Sequence, residues 1–136
     1  MCMNKKYIID PKIRDLVVSM NIYGFETYAS CHGHGFPVRK QYPYIAFRSP
    51  LSRAKVLAQL IRNDAESDTP QLMWGWEVAP LFNEVFSLCF RLSPTAPRRY
   101  YYRYWRGTLD HDFSKIILMM ENTFQKFQRI KNIKVP

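Results

Sequence analysis

Hydrophobic and polar positions change period several times along the chain, and each change marks an element. Ile13, Leu16, Val17 and Met20 recur at helical spacing, which predicts a helix with one apolar face. Asp10 before Pro11 supplies a cap and then a proline at the first helical position, where its missing N–H costs nothing. Residues 21–24 end that helix, with Gly24 available for a left-handed cap. Residues 25–30 then alternate, Phe25, Thr27 and Ala29 against Glu26, Tyr28 and Ser30, with Cys31 continuing the Phe25 side. That is the pattern of a strand covered on one face. Residues 44–48 read as a second strand.

Ser49 and Pro50 repeat the cap-and-proline signal, and Ala54, Leu57, Ala58 and Ile61 give a second helix its apolar stripe. The polar stretch 63–70 stops it. Two β-type runs follow, 72–78 and 85–92, joined by 79–84. In the second run Phe86, Leu88, Phe90 and Leu92 alternate with Val85, Ser87, Cys89 and Arg91, as in a half-buried antiparallel strand. Cys89 is expected to be a core thiol. Residues 94–107 interrupt the pattern. Thr108, Leu109 and Asp110 then open the longest helix, with acids in its first turn and Lys126, Arg129 and Lys131 towards its end. Its stripe is Phe113, Ile116, Ile117, Met120, Phe124 and Phe127. The order α-β-β-α-β-β-α predicts the α+β class: residues 1–136 as a single domain, with a mostly antiparallel four-stranded sheet and packed helices.

Composition narrows the function. Hydrophobic residues make up 47% and charged residues 23%, which excludes a disordered chain. Twenty Lys and Arg against eleven Asp and Glu give a formal charge of +9, and such a charge favours nucleic acid or an acidic protein surface as partner. Three widely spaced cysteines, Cys2, Cys31 and Cys89, read as reduced thiols. No apolar run approaches the roughly 18–20 residues of a membrane span, and the start lacks the apolar core of a secretory leader. The expectation is a cytoplasmic protein with no membrane partner.

Candidate chemistry concentrates first in the loop after residue 30, where Cys31, His32, Gly33, His34 and Gly35 follow one another. Glycines let successive N–H groups form an anion-binding concavity. The backbone of His32, Gly33, His34 and Gly35, the Ser30 hydroxyl and the basic Arg39 and Lys40 would then converge on a phosphate. Two other readings stay open. Cys31 with His34 or His111 as base would make a nucleophile, and Cys31, His34 and the distant His111 would make an open zinc site, the basis of a metal-dependent hydrolase.

Asp10, Ile13, Leu16, Val17 and Asn21, then Thr27, Ser30, Cys31 and Gly33, form a spaced pattern that resembles the opening of the tRNA wybutosine-synthesising methyltransferase family. The family has a small polar residue at the place of His32 and an arginine at the place of His34. The resemblance implies an α+β fold, a role in RNA modification, S-adenosylmethionine as methyl donor, and Ser30, Cys31 and Gly33 at the site. The chain is also similar to small uncharacterised bacterial and mobile-element proteins with a Ser-Cys-x-Gly-His strand end.

The second candidate stretch is an arm within 94–107, where Arg98, Arg99, Arg103 and Arg106 interleave with Tyr100, Tyr101, Tyr102, Tyr104 and Trp105 and no acid intervenes. Such a mixture pairs phosphates and stacks bases. The arm and loop together predict a basic domain for RNA or single-stranded nucleic acid, with Cys31 available for RNA modification. A different class is a small plasmid- or phage-type accessory or inhibitor protein, with the arm docked on an acidic protein surface.

Overall fold

The computed structural model describes residues 13–31 and 42–134, with side chains described for 13–30 and 42–124. Its elements run α1 (Arg14–Ile22), β1 (Glu26–Cys31), β2 (Tyr44–Arg48), α2 (Leu51–Glu66), β3 (Trp74–Phe82), β4 (Leu88–Pro97), a short 3-10 helix (Tyr100–Tyr104) and α3 (Arg106–Lys134). The four strands form one fully antiparallel sheet in the order β1-β2-β4-β3. This is the α+β class expected from the pattern. The Asp10–Pro11 cap and the loop residues 32–41 lie outside the described residues, as do the side chains of Lys126, Phe127, Arg129 and Lys131.

All three helices pack on one face of the sheet. Leu16, Val17 and Met20 of α1, Leu57 and Ile61 of α2, and Leu109, Phe113, Ile116 and Met120 of α3 share one cluster with Ile45, Phe47, Trp74, Trp76, Phe90 and Leu92 from the strands. Phe25 lies at its centre, edge-on to Phe47 and to Phe124, each at 5.3 Å between ring centroids. Fully burying such a side chain contributes roughly 1.5–3 kcal/mol. Gly24, at φ +92°, turns the chain from α1 into β1, and Arg53 packs over it and donates to the Tyr23 carbonyl. Asn21 ties the two elements: its Nδ2 donates to Val17 O and to Thr27 Oγ1, each at 2.8 Å, and its Oδ1 accepts from Thr27 N at 3.3 Å. Asn21 and Thr27 of the spaced pattern therefore have a structural task here.

Three features differ from the sequence pattern. A bulge at Tyr28, between Thr27 and Ala29, shifts the register of β1. Thr27 and Ser30 pair with Phe47 and Ile45 of the helix-covered side, while Ala29 and Cys31 pair with Ala46 and Tyr44 of the other. Ala29 thus leaves the side of Phe25, because one extra residue reverses the alternation. Second, the β3–β4 turn is at 83–87 rather than 79–84, since β3 runs through Pro80 and β4 through Pro94 and Pro97. On an edge strand every second N–H faces away from the partner, so β3 tolerates a proline. Beyond Leu92, β4 pairs with β3 alone, which gives its own prolines the same freedom. Third, β4, the 3-10 helix and α3 fill the supposed interruption 94–107, and α3 starts at Arg106 instead of Thr108.

Cys89 is fully buried, as expected of a core thiol, but it stands outside the helix-side cluster. It shares the opposite face with Ala46, Arg91 and Ser93 of the neighbouring register positions.

Candidate nucleic-acid interface

The register places the two candidate stretches at one end of the sheet. Cys31 ends β1 opposite Tyr44, which begins β2; Pro97 ends β4 opposite Trp74, which begins β3. The arm leaves β4 at this same end. Of the loop, only its flanks Cys31 and Tyr42 are described; His32, Gly33, His34, Gly35, Arg39 and Lys40 fall outside the described residues. Ser30 is buried on the helix-covered side, at 3% exposure.

The arm is built on a chain of buried hydrogen bonds. Asp112, fully buried on α3, accepts from Met73 N at 2.8 Å, Trp74 N at 2.9 Å, Trp76 Nε1 at 2.9 Å and His111 Nδ1 at 3.0 Å. A carboxylate with several N–H partners repays part of its desolvation in this way. One turn earlier, Thr108 Oγ1 accepts from Trp74 Nε1 at 2.9 Å and lies 2.7 Å from the Trp105 carbonyl, to which its hydroxyl donates. Asp64 at the end of α2 accepts from Gln71 N and Leu72 N. Residues 71–74 are thereby held from two helices. Arg98 is fastened to them in turn, its N donating to Met73 O at 2.9 Å and its Nε to Leu72 O. Backbone bonds from Tyr102 N to Arg99 O and from Trp105 N to Tyr102 O close the arm on itself.

This folding turns the rings outward. Tyr100, Tyr101, Tyr104 and Trp105 are 61%, 51%, 41% and 62% exposed. They stand edge to face among themselves: Tyr100 with Tyr104 at 6.2 Å, Tyr101 with Tyr102 at 5.1 Å, and Tyr101 with Trp105 at 6.1 Å. The Arg103 guanidinium lies 4.6 Å from the Tyr100 ring centroid, a cation–π contact that presents charge and ring together. The arm is a short helix docked on the sheet, and it buries none of its residues fully.

His111 and Cys31 are attached to opposite edges of the sheet. His111 reaches Met73 and Trp74 of the β3 edge through Asp112, whereas Cys31 belongs to β1, three strand spacings or about 14 Å away. Among the described residues no group of three His, Cys, Asp or Glu side chains gathers to hold a metal ion; His34 is not among them. No helix of the described residues is long and apolar enough to cross a membrane.

Sequence pattern marked Thr108 only as the opening of a helix and did not single out Asp112. A signal was available: two polar residues four apart lie on the same helix face as the apolar stripe of Leu109, Phe113 and Ile116. On the far side of the sheet Tyr28, hydrogen-bonded to Cys89, has its hydroxyl pushed up to about 12, first by burial and then by that thiol, against the pull of Arg48.

The fold and site define an α+β protein with helices on one face of an antiparallel sheet and a basic aromatic arm at its end. Comparison with protein-family models, curated proteins and solved structures finds no match.

Proposed function

We propose that this chain is a basic nucleic-acid-binding domain that takes RNA or another single strand on its arm. The observation that carries the reading is the outward presentation of four aromatic rings among four arginines in a stretch without an acid. A single strand offers unpaired bases to stack and phosphates to pair, and base–aromatic stacking contributes roughly 1–3 kcal/mol per base. The rings are held in place before any ligand arrives, which lowers the ordering cost of binding. A duplex hides its base faces and would use the charge alone.

The test is fluorescence anisotropy of labelled single-stranded RNA, single-stranded DNA and duplex DNA with the wild-type chain and an Arg99→Ala, Arg103→Ala variant. The reading predicts preference for single strands. It also predicts at least a ten-fold loss in the variant, with a salt slope lower by about 1.4 for two lost phosphate contacts. Equal binding by wild type and variant would remove the arm.

A second reading, a small accessory protein with a protein partner, draws on the opposite end of the sheet. There the β3–β4 turn exposes Phe82, Val85, Phe86 and Leu88, and Glu84 is the one charged residue in the sequence from 79 to 90. Co-purification of a stoichiometric protein partner, lost in a Phe86→Ser variant, would favour it.

A further inference from the structure

We infer that the helix-free face of the sheet continues the arm's track, with Arg91 taking a phosphate and Tyr44 and Tyr28 lying against bases of the same single strand. The inference rests on the proposed reading of the arm and extends it to a second surface. Four observations support it. All three helices pack on the other face, so among the described residues none from a helix joins this one. Arg91 stands at its middle, exposed, with Ala46 beside it on β2 and Ala79 beside it on β3. Those neighbours are too short and apolar to pair with a guanidinium, and Arg91 makes no ion pair among the described residues. Its charge is therefore available to an anion from outside.

The acids of the face lie to either side of this line. Glu26 on β1 is occupied by Arg48 at 3.0 Å, and Glu77 stands on β3 opposite Ser93. A polyanion is thus kept between them, over β2 and β4. Ala46 and Ser93 are small and buried and Ala79 is half-buried, so Arg91 is the side chain that this middle presents to solvent. Tyr44 stands half-buried at the arm end of this path, and the Arg48 guanidinium lies 5.5 Å from the Tyr28 ring centroid. The occupant these features fit is a single strand: a central cation for phosphate, rings for bases, and an uninterrupted connection through β4 to Arg98 and Arg99. From Arg91 to Arg98 the strand runs about 23 Å. A very short oligonucleotide engages one surface, and a longer one engages both.

The discriminating experiment compares labelled single strands of about 4 and about 12 nucleotides, the lower and middle range of single-strand site sizes. Wild type, an Arg91→Ala, Tyr44→Leu variant and an Arg99→Ala, Arg103→Ala variant are titrated at two salt concentrations. The inference predicts that the wild type prefers the longer strand by at least ten-fold. The face variant should lose that preference while it binds the short strand as before, and its salt slope on the longer strand should fall by about 0.7. The arm variant should lose affinity for both. Unchanged binding of the longer strand by the face variant, with wild-type binding intact, overturns this inference and leaves the arm reading standing. Failure of the wild type to bind either strand overturns both.

Discussion

The two ends of the sheet both expose large side chains, yet they suit different partners. At the arm end, Tyr100, Tyr101, Tyr104 and Trp105 stand among Arg98, Arg99, Arg103 and Arg106. At the hairpin end, Phe82, Val85, Phe86 and Leu88 are exposed on either side of Glu84 in the sequence. Exposed aromatic surface alone therefore says little about the ligand. The interleaved charge decides, because a polyanion gains from the four arginines of the arm and finds no Lys or Arg in residues 79–90 of the hairpin.

The ends also differ in how they are held. Buried groups fix the arm end: the four N–H donors on Asp112 and the indole donor on Thr108. The hairpin end is held locally. Asn83 Oδ1 accepts from Val85 N and Ser87 N at 3.0 and 2.9 Å, and Phe86 sits at φ +62° while 82% exposed. A bulky residue at positive φ is strained. A buried carboxylate with four donors at one end and local strain at the other make opposite predictions for substitution.

Removing the anchor should have the largest effect. Asp112→Ala leaves its buried donors without a partner, and a loss of about 3–5 kcal/mol of unfolding free energy is expected, read by urea denaturation. A loss below about 1 kcal/mol would mean that water or neighbouring groups satisfy the donors and that the arm end is not held this way. The hairpin end should respond in the other direction and more weakly. Phe86→Gly removes a largely exposed side chain and relieves the left-handed strain, so the chain should gain about 0.5–1 kcal/mol. Destabilisation would show instead that the Phe86 ring packs on the hairpin.

Periodicity exposed the fold class and the core. The stripes of α1, α2 and α3 appear in the core with Ile13, Leu57, Ile61, Ile116 and Met120 buried, because helical spacing directly reports the covered face. The face of Ala29 was not legible, since the bulge at Tyr28 leaves no mark in a pattern that alternates on either side of it. The length of β3 was obscured by Pro80, whose acceptability depends on an edge position that only the strand order reveals. The arm was visible as composition, but not as a docked helix. Much of its support comes from Thr108 and Asp112, which are distant in sequence from the Met73, Trp74 and Trp76 groups they hold. Arg91 drew no notice because its isolation is a property of its cross-strand neighbours Ala46 and Ala79.

The most direct measurement uses the chain's own tryptophans. Trp74 and Trp76 are buried, at 1% and 8% exposure, while Trp105 on the arm is 62% exposed, so solvent-exposed indole emission reports one residue of the proposed interface. Titration with an unlabelled single-stranded RNA should quench that emission in proportion to binding followed independently by anisotropy, and Trp105→Phe should abolish the quench. Saturating binding with the Trp105 emission unchanged would contradict the account, because the strand would then be held somewhere other than the arm.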